Sequence, residues 1–574
     1  MSSARLNPQA VRGPRLRRTA AALAAAVVIA ACTGGGGGEA ALPRSETPAE
    51  RVHTGGTITI GAEQWPDCIN PVTQCATSAW LVWTTAIHTL PQLMETDAHG
   101  GYRTSPLLAE EPTMANGGIT LDPFRVRFRL APQAVWDDGT PITSKDVEFS
   151  WRAKLDTTDS VSKVGYDQVE SVDASDPHTA VVTFTTPLAS WRDFLGGAAD
   201  FVLKASAFAS TNIGDDLQDH YPFSGGPWRL ASWSNEQAVL TPNPLYWAPE
   251  RRPLVDKVVF VPRDDTDTEL ASLLAGEVDA IYPQAAAGIA QKLSRPEISH
   301  RFGQLTQYEG MWLQTASPPL DDRNVREALA FSIDRQKVLE VIMRPAYPEA
   351  EVLNCGLWVP TVGRWCDQGA FADLTYDPAR AERLLNASGW RKNQSGFYEK
   401  NGEPLALRWM VNSGNSRRES LQALVIPALE KLGWKITTDN VDAATMFEQR
   451  LPSRDFQLAT YIASASPDPR VSDLLHCRAI PTEESPSGQN VMSWCNEEAS
   501  ALMDASDREL DEAARIGQVH RLAALVRAEL PFLPLYQFPA LTAWRNDRLA
   551  GPIDADTSNP ASAFASLHNW SIRR

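Results

Sequence analysis

The chain has 574 residues, of which 43% are hydrophobic and 21% are charged. This length exceeds what one hydrophobic core usually organises, so we expect at least two domains, and the composition excludes a disordered chain or a polytopic membrane protein. Acidic residues outnumber basic ones by 70 to 53, which gives a net charge of -17. Because such a surface repels phosphate backbones, we expect no nucleic-acid partner.

The amino terminus has the pattern of an export signal. Several arginines and no acids precede an uncharged run from Thr19 to Ala31, which is too short to span a bilayer of about 30 Å as a permanent helix. The run ends Ile29-Ala30-Ala31-Cys32 and resembles a bacterial lipobox. We predict a signal peptide over 1–31, lipidation at Cys32 and a glycine-rich flexible tether over 32–53. The alternative is an ordinary signal peptide with an incidental cysteine.

Alternating apolar residues predict strands in the first half of the chain. Residues 124–130 place phenylalanine, valine and leucine side chains on one face and three arginines on the other, as in a half-buried strand. Thr143 and Asp146 form a near capping box that opens a helix. The other predicted elements are a strand at 54–60, a helix-like stretch at 76–92 and a strand at 179–185.

Helices and strands alternate in the later half, which favours α/β layers. Asp377 and Pro378 supply an N-cap and a first-turn proline, and Gly389 ends the helix that they begin. The other predicted elements are a strand at 405–411, a helix at 416–432, a strand at 435–438, a helical stretch at 447–451 and a strand at 456–462.

The cysteines fit an oxidising compartment. Of the seven, six remain after Cys32 is assigned to the lipid, and they fall in pairs that are close in sequence. We predict the disulfides Cys68–Cys75, Cys355–Cys366 and Cys477–Cys495 from this proximity alone, out of fifteen possible pairings. The rival interpretation is a metal site, but the cysteines and histidines lack ligand spacing, so we predict neither metal nor cofactor.

A secreted hydrolase is the competing functional class. The sequence contains no Gly-x-Ser-x-Gly, His-Glu-x-x-His, phosphate-loop or Gly-x-Gly-x-x-Gly motif. The acid pairs Asp264-Asp265 and Asp321-Asp322 stand where helices begin, and helix N-termini favour carboxylates. We therefore do not expect an enzyme.

Several stretches resemble one protein family in its own order. The most specific is Trp136-Asp137-Asp138-Gly139-Thr140-Pro141 followed by the capped helix, where Asp137 replaces the usual serine. The others are 55–111, 223–228, 243–247, 319–335 and 531–536. Together they make the region after Thr54 similar to the family 5 extracellular solute-binding proteins, which are the peptide/nickel-type receptors of ABC importers.

The resemblance implies an α/β, two-lobed periplasmic-binding-protein-like fold of type II, with an extra subdomain and a hinged ligand cleft. Lobe I would comprise 54–97, 221–308 and 532–574, the subdomain 98–220, and lobe II 309–531. The protein would be a monomer, lipid-anchored on the extracytoplasmic face of the cell membrane, and would deliver its solute to ABC permease and ATPase subunits.

Loops at the ends of strands supply the predicted cleft residues. Trp65 and Trp312 could offer apolar contact to varied ligands, although plain packing is an equally good interpretation of each. The complete set of predicted ligand-binding residues is Glu63, Gln64, Trp65, Tyr308, Trp312, Ser413, Asn415, Ser464, Ala465 and Ser466.

One departure from the family pattern bears on the ligand. Ala465 stands where peptide-binding members place the aspartate that pairs with the α-ammonium, and a buried ammonium needs a partner. The acids that could replace it are Glu63, Glu309 and Asp468. A peptide is the leading prediction for the ligand, an oligosaccharide or other neutral solute is the runner-up, and nickel or haem comes third.

Overall fold

A computed structural model describes residues 54–263, 265–442, 445–482 and 488–573. The predicted signal peptide, the lipidation site Cys32 and the tether lie outside these residues. None of the helices within the described ranges is both long and apolar enough to cross a membrane.

The described chain is a mixture of strands and helices. The strands are β1 Thr57–Ala62, β2 Met94–Thr96, β3 Tyr102–Thr104, β4 Ile119–Leu121, β5 Phe124–Arg129, β6 Val169–Asp176, β7 Thr179–Phe184, β8 Trp228–Trp233, β9 Ala238–Pro242, β10 Lys257–Pro262, β11 Ala280–Ile281, β12 Ile298–Leu313, β13 Arg391–Lys392, β14 Tyr398–Lys400, β15 Glu403–Pro404, β16 Ala406–Met410, β17 Lys435–Thr438, β18 Leu458–Ser464, β19 Phe532–Arg545, β20 Leu549–Ala550 and β21 Ser571–Ile572. The α-helices are α1 Ala79–Leu81, α2 Ile87–Thr89, α3 Ser144–Asp156, α4 Thr266–Ala275, α5 Ile289–Lys292, α6 Arg323–Ser332, α7 Arg335–Val338, α8 Pro378–Ala387, α9 Ser416–Leu432, α10 Ser472–Leu475, α11 Glu497–Ser506 and α12 Glu512–Glu529. Short π-helices occupy Val82–Ala86, Leu339–Met343 and Thr445–Arg450.

One large sheet organises the fold, with the strand order β17-β16-β18-β12-β19-β11-β1-β10-β9-β8. Its middle is the antiparallel pair of long strands β12 and β19, which runs from Ile298 opposite Arg545 to Trp312 opposite Phe532. The register shifts between Gln304 and Tyr308, so the ladder between these two strands is interrupted half-way along.

Apolar side chains form separate clusters along this sheet. The largest lies between Tyr308 and Phe538 in sequence and includes Trp312. A second combines β1 with residues 228–282 and 540–570, and a third joins residues 270–298 to Leu541 and Ala543. A further cluster packs around the four-stranded sheet β4-β5-β7-β6 and takes in residues 69–94 as well. The lobe boundaries stay a prediction. The boundary predicted between residues 308 and 309 lies within the strand β12.

The Trp-Asp-Asp-Gly motif is part of the architecture. Asp137 accepts a hydrogen bond from the Ser224 backbone N–H at 2.9 Å and pairs with Arg229 at 2.7 Å. Asp138 pairs with Lys204 at 2.5 Å, and Gly139 has a φ of 83°, which favours glycine in this turn. These contacts explain the motif without a ligand.

Most of the predicted elements are present, and α9 and β17 have the predicted bounds. The capping box of Thr143 and Asp146 is formed, and Asp377 caps α8. Asp265 and Asp322 cap α4 and α6, as their positions suggested.

The helix-like stretch 76–92 is not one regular helix. It is divided into α1, the π-helix Val82–Ala86 and α2. The hydroxyls of Thr84 and Thr85 donate to the carbonyls of Trp80 and Leu81 at 2.6 and 2.7 Å. Such back-bonding from β-branched residues competes with the regular helical ladder.

The three predicted disulfides are present, and they join the pairs Cys68–Cys75, Cys355–Cys366 and Cys477–Cys495.

Candidate functional site

The candidate site is a cavity of about 540 Å³ beside the interruption in the β12–β19 ladder. It is lined by the ends of β1, β11 and β18, by the first turn of α9 and by the helical segment around Trp80. The residues that line it are Glu63, Gln64, Ala79, Trp80, Trp83, Ala198, Tyr282, Pro283, Gln284, Ala285, Leu305, Thr306, Gln307, Met343, Arg417, Ile462, Ser464, Ala465, Ser466, Pro467, Phe538, Pro539, Ala540, Asn559 and Pro560. We call it the central cavity.

Half of the predicted ligand-binding residues line the central cavity. Glu63 and Gln64 follow β1, whereas Ser464, Ala465 and Ser466 lie at the end of β18. The Ala465 backbone N–H donates to the Thr306 carbonyl at 2.9 Å, which fixes this loop against β12. Loops at the ends of sheet strands therefore meet here, although a role for these residues in ligand binding stays a prediction.

Three predicted aromatic residues lie elsewhere. Trp65 stacks on Trp233, with ring centroids 6.4 Å apart, and its Nε1–H donates to the Ser234 carbonyl at 2.9 Å. Tyr308 and Trp312 are buried in the largest core cluster. The structure therefore places these three residues in packing contacts and outside the lining of the cavity.

The burial of Trp312 follows from its neighbours. Its ring is stacked between Tyr461 and Phe532, with centroid distances of 4.9 and 5.0 Å. Its Nε1–H donates to the Tyr461 carbonyl at 3.1 Å, so both its apolar surface and its polar atom are satisfied internally.

Ser413 and Asn415 also lie outside the cavity lining. Ser413 is exposed, and its backbone N–H donates to the Val441 carbonyl at 2.7 Å. Asn415 is the N-cap of α9 and accepts from the Arg418 backbone N–H at 3.1 Å. Capping explains the asparagine without a ligand.

The sequence interpretation missed an aromatic wall of the cavity. Trp80 and Trp83 pack with ring centroids 5.2 Å apart, and Trp83 meets the edge of Tyr282 at 5.1 Å. The only sequence signal was the spacing of three between the two tryptophans, which places them on one side of a helix.

Glu63 is a carboxylate held at the cavity wall. It accepts hydrogen bonds from the Thr266 hydroxyl at 2.6 Å and from the Gln284 backbone N–H at 3.1 Å. Burial raises the pKa of Glu63 in spite of these two bonds. Glu269 is fully buried nearby, and burial together with the charge of Glu63 raises its pKa well above the usual value. A cationic ligand group would thus find a partly desolvated carboxylate at Glu63.

Arg417 contributes a cation to the same cavity, and the sequence interpretation did not include it. Its Cζ lies 4.5 Å from the ring centroid of Phe538, and its Nη2 lies 3.7 Å from the buried carboxylate of Glu309. Arg418 pairs with Glu309 more closely, at 3.0 Å. Arg417 is therefore held by Phe538 and Glu309 and lies at the cavity surface, where a ligand could contact it.

Two of the three acids considered for a ligand ammonium are already paired. Glu309 is fully buried between Arg417 and Arg418. Asp468 makes a two-pronged contact with Arg515 at 2.6 and 2.8 Å. Among these three acids, Glu63 is the one that lines the central cavity.

Comparison with known proteins assigns the family. Residues 103–478 match the profile of bacterial extracellular solute-binding proteins, family 5 Middle. The chain belongs to this family. One relative is the oligopeptide-binding protein OppA of Mycobacterium tuberculosis, which is 27% identical over 435 residues covering 74% of this chain and 71% of that protein.

Solved structures show the same fold. The periplasmic EDTA-binding protein EppA has a TM-score of 0.78 at 20% identity and covers 93% of this chain and 100% of its own. The oligopeptide-binding protein AppA of Bacillus subtilis, solved with a nonapeptide, has a TM-score of 0.72 at 20% identity, with 91% and 100% covered. The family 5 protein is thus a two-lobed, mixed α/β binding protein, as the sequence predicted.

Proposed function

We propose that this family 5 protein is the lipid-anchored, extracytoplasmic substrate-binding component of an ABC importer. It captures peptides in the central cavity as a monomer and delivers them to the membrane permease, which the ATPase subunits drive. The family assignment and the oligopeptide-binding relatives support this role. The run from Ile29 to Cys32 supports the anchor.

The observation that carries the proposal is the pair of opposite charges on the cavity lining. Glu63 follows β1 and Arg417 lies in the first turn of α9, and four strands of the large sheet separate β1 from β16, the strand that precedes α9. A peptide carries an ammonium at one end and a carboxylate at the other. Glu63 would receive the ammonium, and Arg417 the carboxylate.

The middle of the cavity suits an amide backbone. The interrupted part of β12, Leu305 to Gln307, lines it beside the end of β18, and the main chain of this part has no ladder partner in β19, so a peptide backbone would make main-chain contacts here. Main-chain contacts of this kind bind peptides with little regard to side-chain identity.

A neutral solute such as an oligosaccharide is the second candidate. The half-buried Trp83 favours it, since its ring could accept an apolar sugar surface as well as a side chain, whereas Trp80 and Tyr282, which pack against it, are buried. On this alternative, Glu63 and Arg417 would contribute hydrogen bonds without charge pairing.

A screen of purified protein against peptide and sugar libraries tests the proposal. Peptides should raise the melting temperature and be recovered with unchanged mass, because binding to the folded state stabilises it without turnover. Stabilisation by sugars alone would support the second candidate. Steady release of cleaved product would show that the protein is an enzyme and would contradict the proposal.

A further inference from the structure

A second pocket opens beside the central cavity. It has a volume of about 330 Å³ and shares Ala198 and Ser466 with the central cavity. Its lining comes from residues 162–200 on one side and from residues 466–473 on the other. We call it the side pocket. A ligand that lies in the central cavity could extend a side chain into it at Ser466.

The side pocket is acidic, and its carboxylates differ in their partners. Three of the four acids that line it already have a cation: Asp200 pairs with Lys154 at 2.6 Å, Asp468 with Arg515 at 2.6 Å and Asp473 with Arg470 at 2.9 Å. The fourth, Asp193, accepts a hydrogen bond from the Tyr102 hydroxyl at 2.6 Å. It has no ion pair with any residue that the structure describes.

Asp193 is held in an environment that opposes its charge. Burial and the neighbouring charges of Asp468 and Asp200 raise the pKa of Asp193 to about 7, against the hydrogen bond from Tyr102 and the charge of Arg470. An ammonium or guanidinium group that entered the pocket would relieve this repulsion and would restore the charge balance.

The rest of the side-pocket lining is mixed, because it contains Arg470, which pairs with Asp473, and three serines besides several apolar side chains. Tyr166, Phe184, Leu188 and Phe194 line it together with the acids. An aliphatic chain that ends in a cation matches this combination, because its methylene groups can pack on rings while the charged head reaches the carboxylate. The α-ammonium of a peptide has no such chain.

We propose that the side pocket is a subsite for the ammonium of a lysine-like side chain, with Asp193 as its counter-ion, on a peptide whose main chain lies in the central cavity. This inference rests on the proposed function. It adds to that function a preference for peptides with a basic residue at one position.

The test is a positional scan with matched peptides. N-acetylated tetrapeptides of alanine carry lysine at one position, and their partners carry norleucine there, which keeps the aliphatic chain without the charge. At one position we expect lysine to bind wild-type protein at least about tenfold more tightly than norleucine, as measured by titration calorimetry. Asp193→Asn should reduce this preference to less than about twofold.

Asp473→Asn is the control variant, because it removes the same charge from the same pocket but from a carboxylate that already has Arg470. It should keep the lysine preference. Equal losses in both variants would mean that the overall field of the pocket, and no pairing with Asp193, attracts the cation, and this would overturn the assignment.

A pH series on wild-type protein tests the same inference without a mutation. Binding a cation requires ionised Asp193, so lysine affinity should fall by roughly tenfold from about pH 8 to about pH 6, while norleucine affinity stays level.

Equal affinities for all peptides would overturn the subsite and leave the proposed function intact. If neither these peptides nor their unacetylated forms bind, both fail. Tighter binding could also depend on a free amino terminus and not on lysine. If Asp193→Asn abolishes that dependence, Asp193 pairs with the α-ammonium, and this would overturn the assignment to a side chain.

Discussion

The guanidinium of Arg417 lies 4.5 Å from the ring centroid of Phe538 at the surface of the central cavity. The ring and Glu309 together hold the cation in place before any ligand arrives. A preorganised arginine loses little conformational freedom when it binds a carboxylate, so this residue is suited to binding the terminal carboxylate of a ligand.

Replacing Arg417 should therefore discriminate between carboxylate and amide ligands. In Arg417→Gln we expect peptides with a free carboxyl terminus to bind at least about tenfold more weakly. The affinity for the same peptides with an amidated carboxyl terminus should change by less than about twofold. Titration calorimetry measures both. Arg383→Gln, at an exposed arginine on α8, is the matched control. A uniform loss for both kinds of peptide would contradict carboxylate recognition.

Replacing Glu63 should affect the opposite end of the ligand. Glu63→Gln should weaken free-amine peptides at least about tenfold and leave neutral ligands nearly unchanged, and N-acetylation should have the same effect as the mutation. Because burial raises the pKa of Glu63, the affinity for free amines should be highest above this pKa and fall as the pH drops through it. If acetylated and free peptides bind wild-type protein equally, no carboxylate recognises the amine.

Trp312 should prove to be a core residue. Trp312→Ala should lower the free energy of unfolding by about 3–5 kcal/mol, since it removes a fully buried ring stacked on two others. Trp312→Phe should keep ligand affinity within about twofold of wild type while lowering the urea midpoint. A large loss of affinity with unchanged stability would return Trp312 to the binding site.

The sequence predicted regular elements well where local signals and tertiary packing agree. The helix α9 has an asparagine cap and ends at a glycine with a φ of 102°, and its bounds were predicted correctly. The stretch 76–92 was not, because threonine hydroxyls compete for the helix carbonyls there. The spacing of apolar residues in the sequence contains no information about that competition.

The lining of the central cavity was predicted in part for a similar reason. The rule that ligands meet loops at strand ends selected Glu63, Gln64 and residues 464–466, which line the cavity, and their role in ligand binding stays a prediction. Trp80, Tyr282 and Arg417 lie on other segments of the chain, and only the fold brings them to the cavity. Whether an aromatic residue such as Trp312 faces the core or the cavity depends on neighbours in other strands, which no local pattern contains.

The membrane anchor is tested at Cys32. Mass spectrometry of the membrane-extracted protein should find a mature amino terminus at Cys32 that carries acyl chains, and Cys32→Ser should release the protein from the membrane. A soluble product cut at another residue, or unchanged anchoring of the variant, would contradict lipidation there.

The most direct test of peptide capture is calorimetric titration of one tripeptide in two forms, with free termini and with both termini blocked. Our account predicts that the free form binds wild-type protein with one site and returns intact. It also predicts that blocking both termini weakens binding by at least about a hundredfold, and that the double variant Glu63→Gln, Arg417→Gln binds the two forms alike. Equal binding of both forms by wild-type protein, or binding of a neutral sugar in their place, would contradict it.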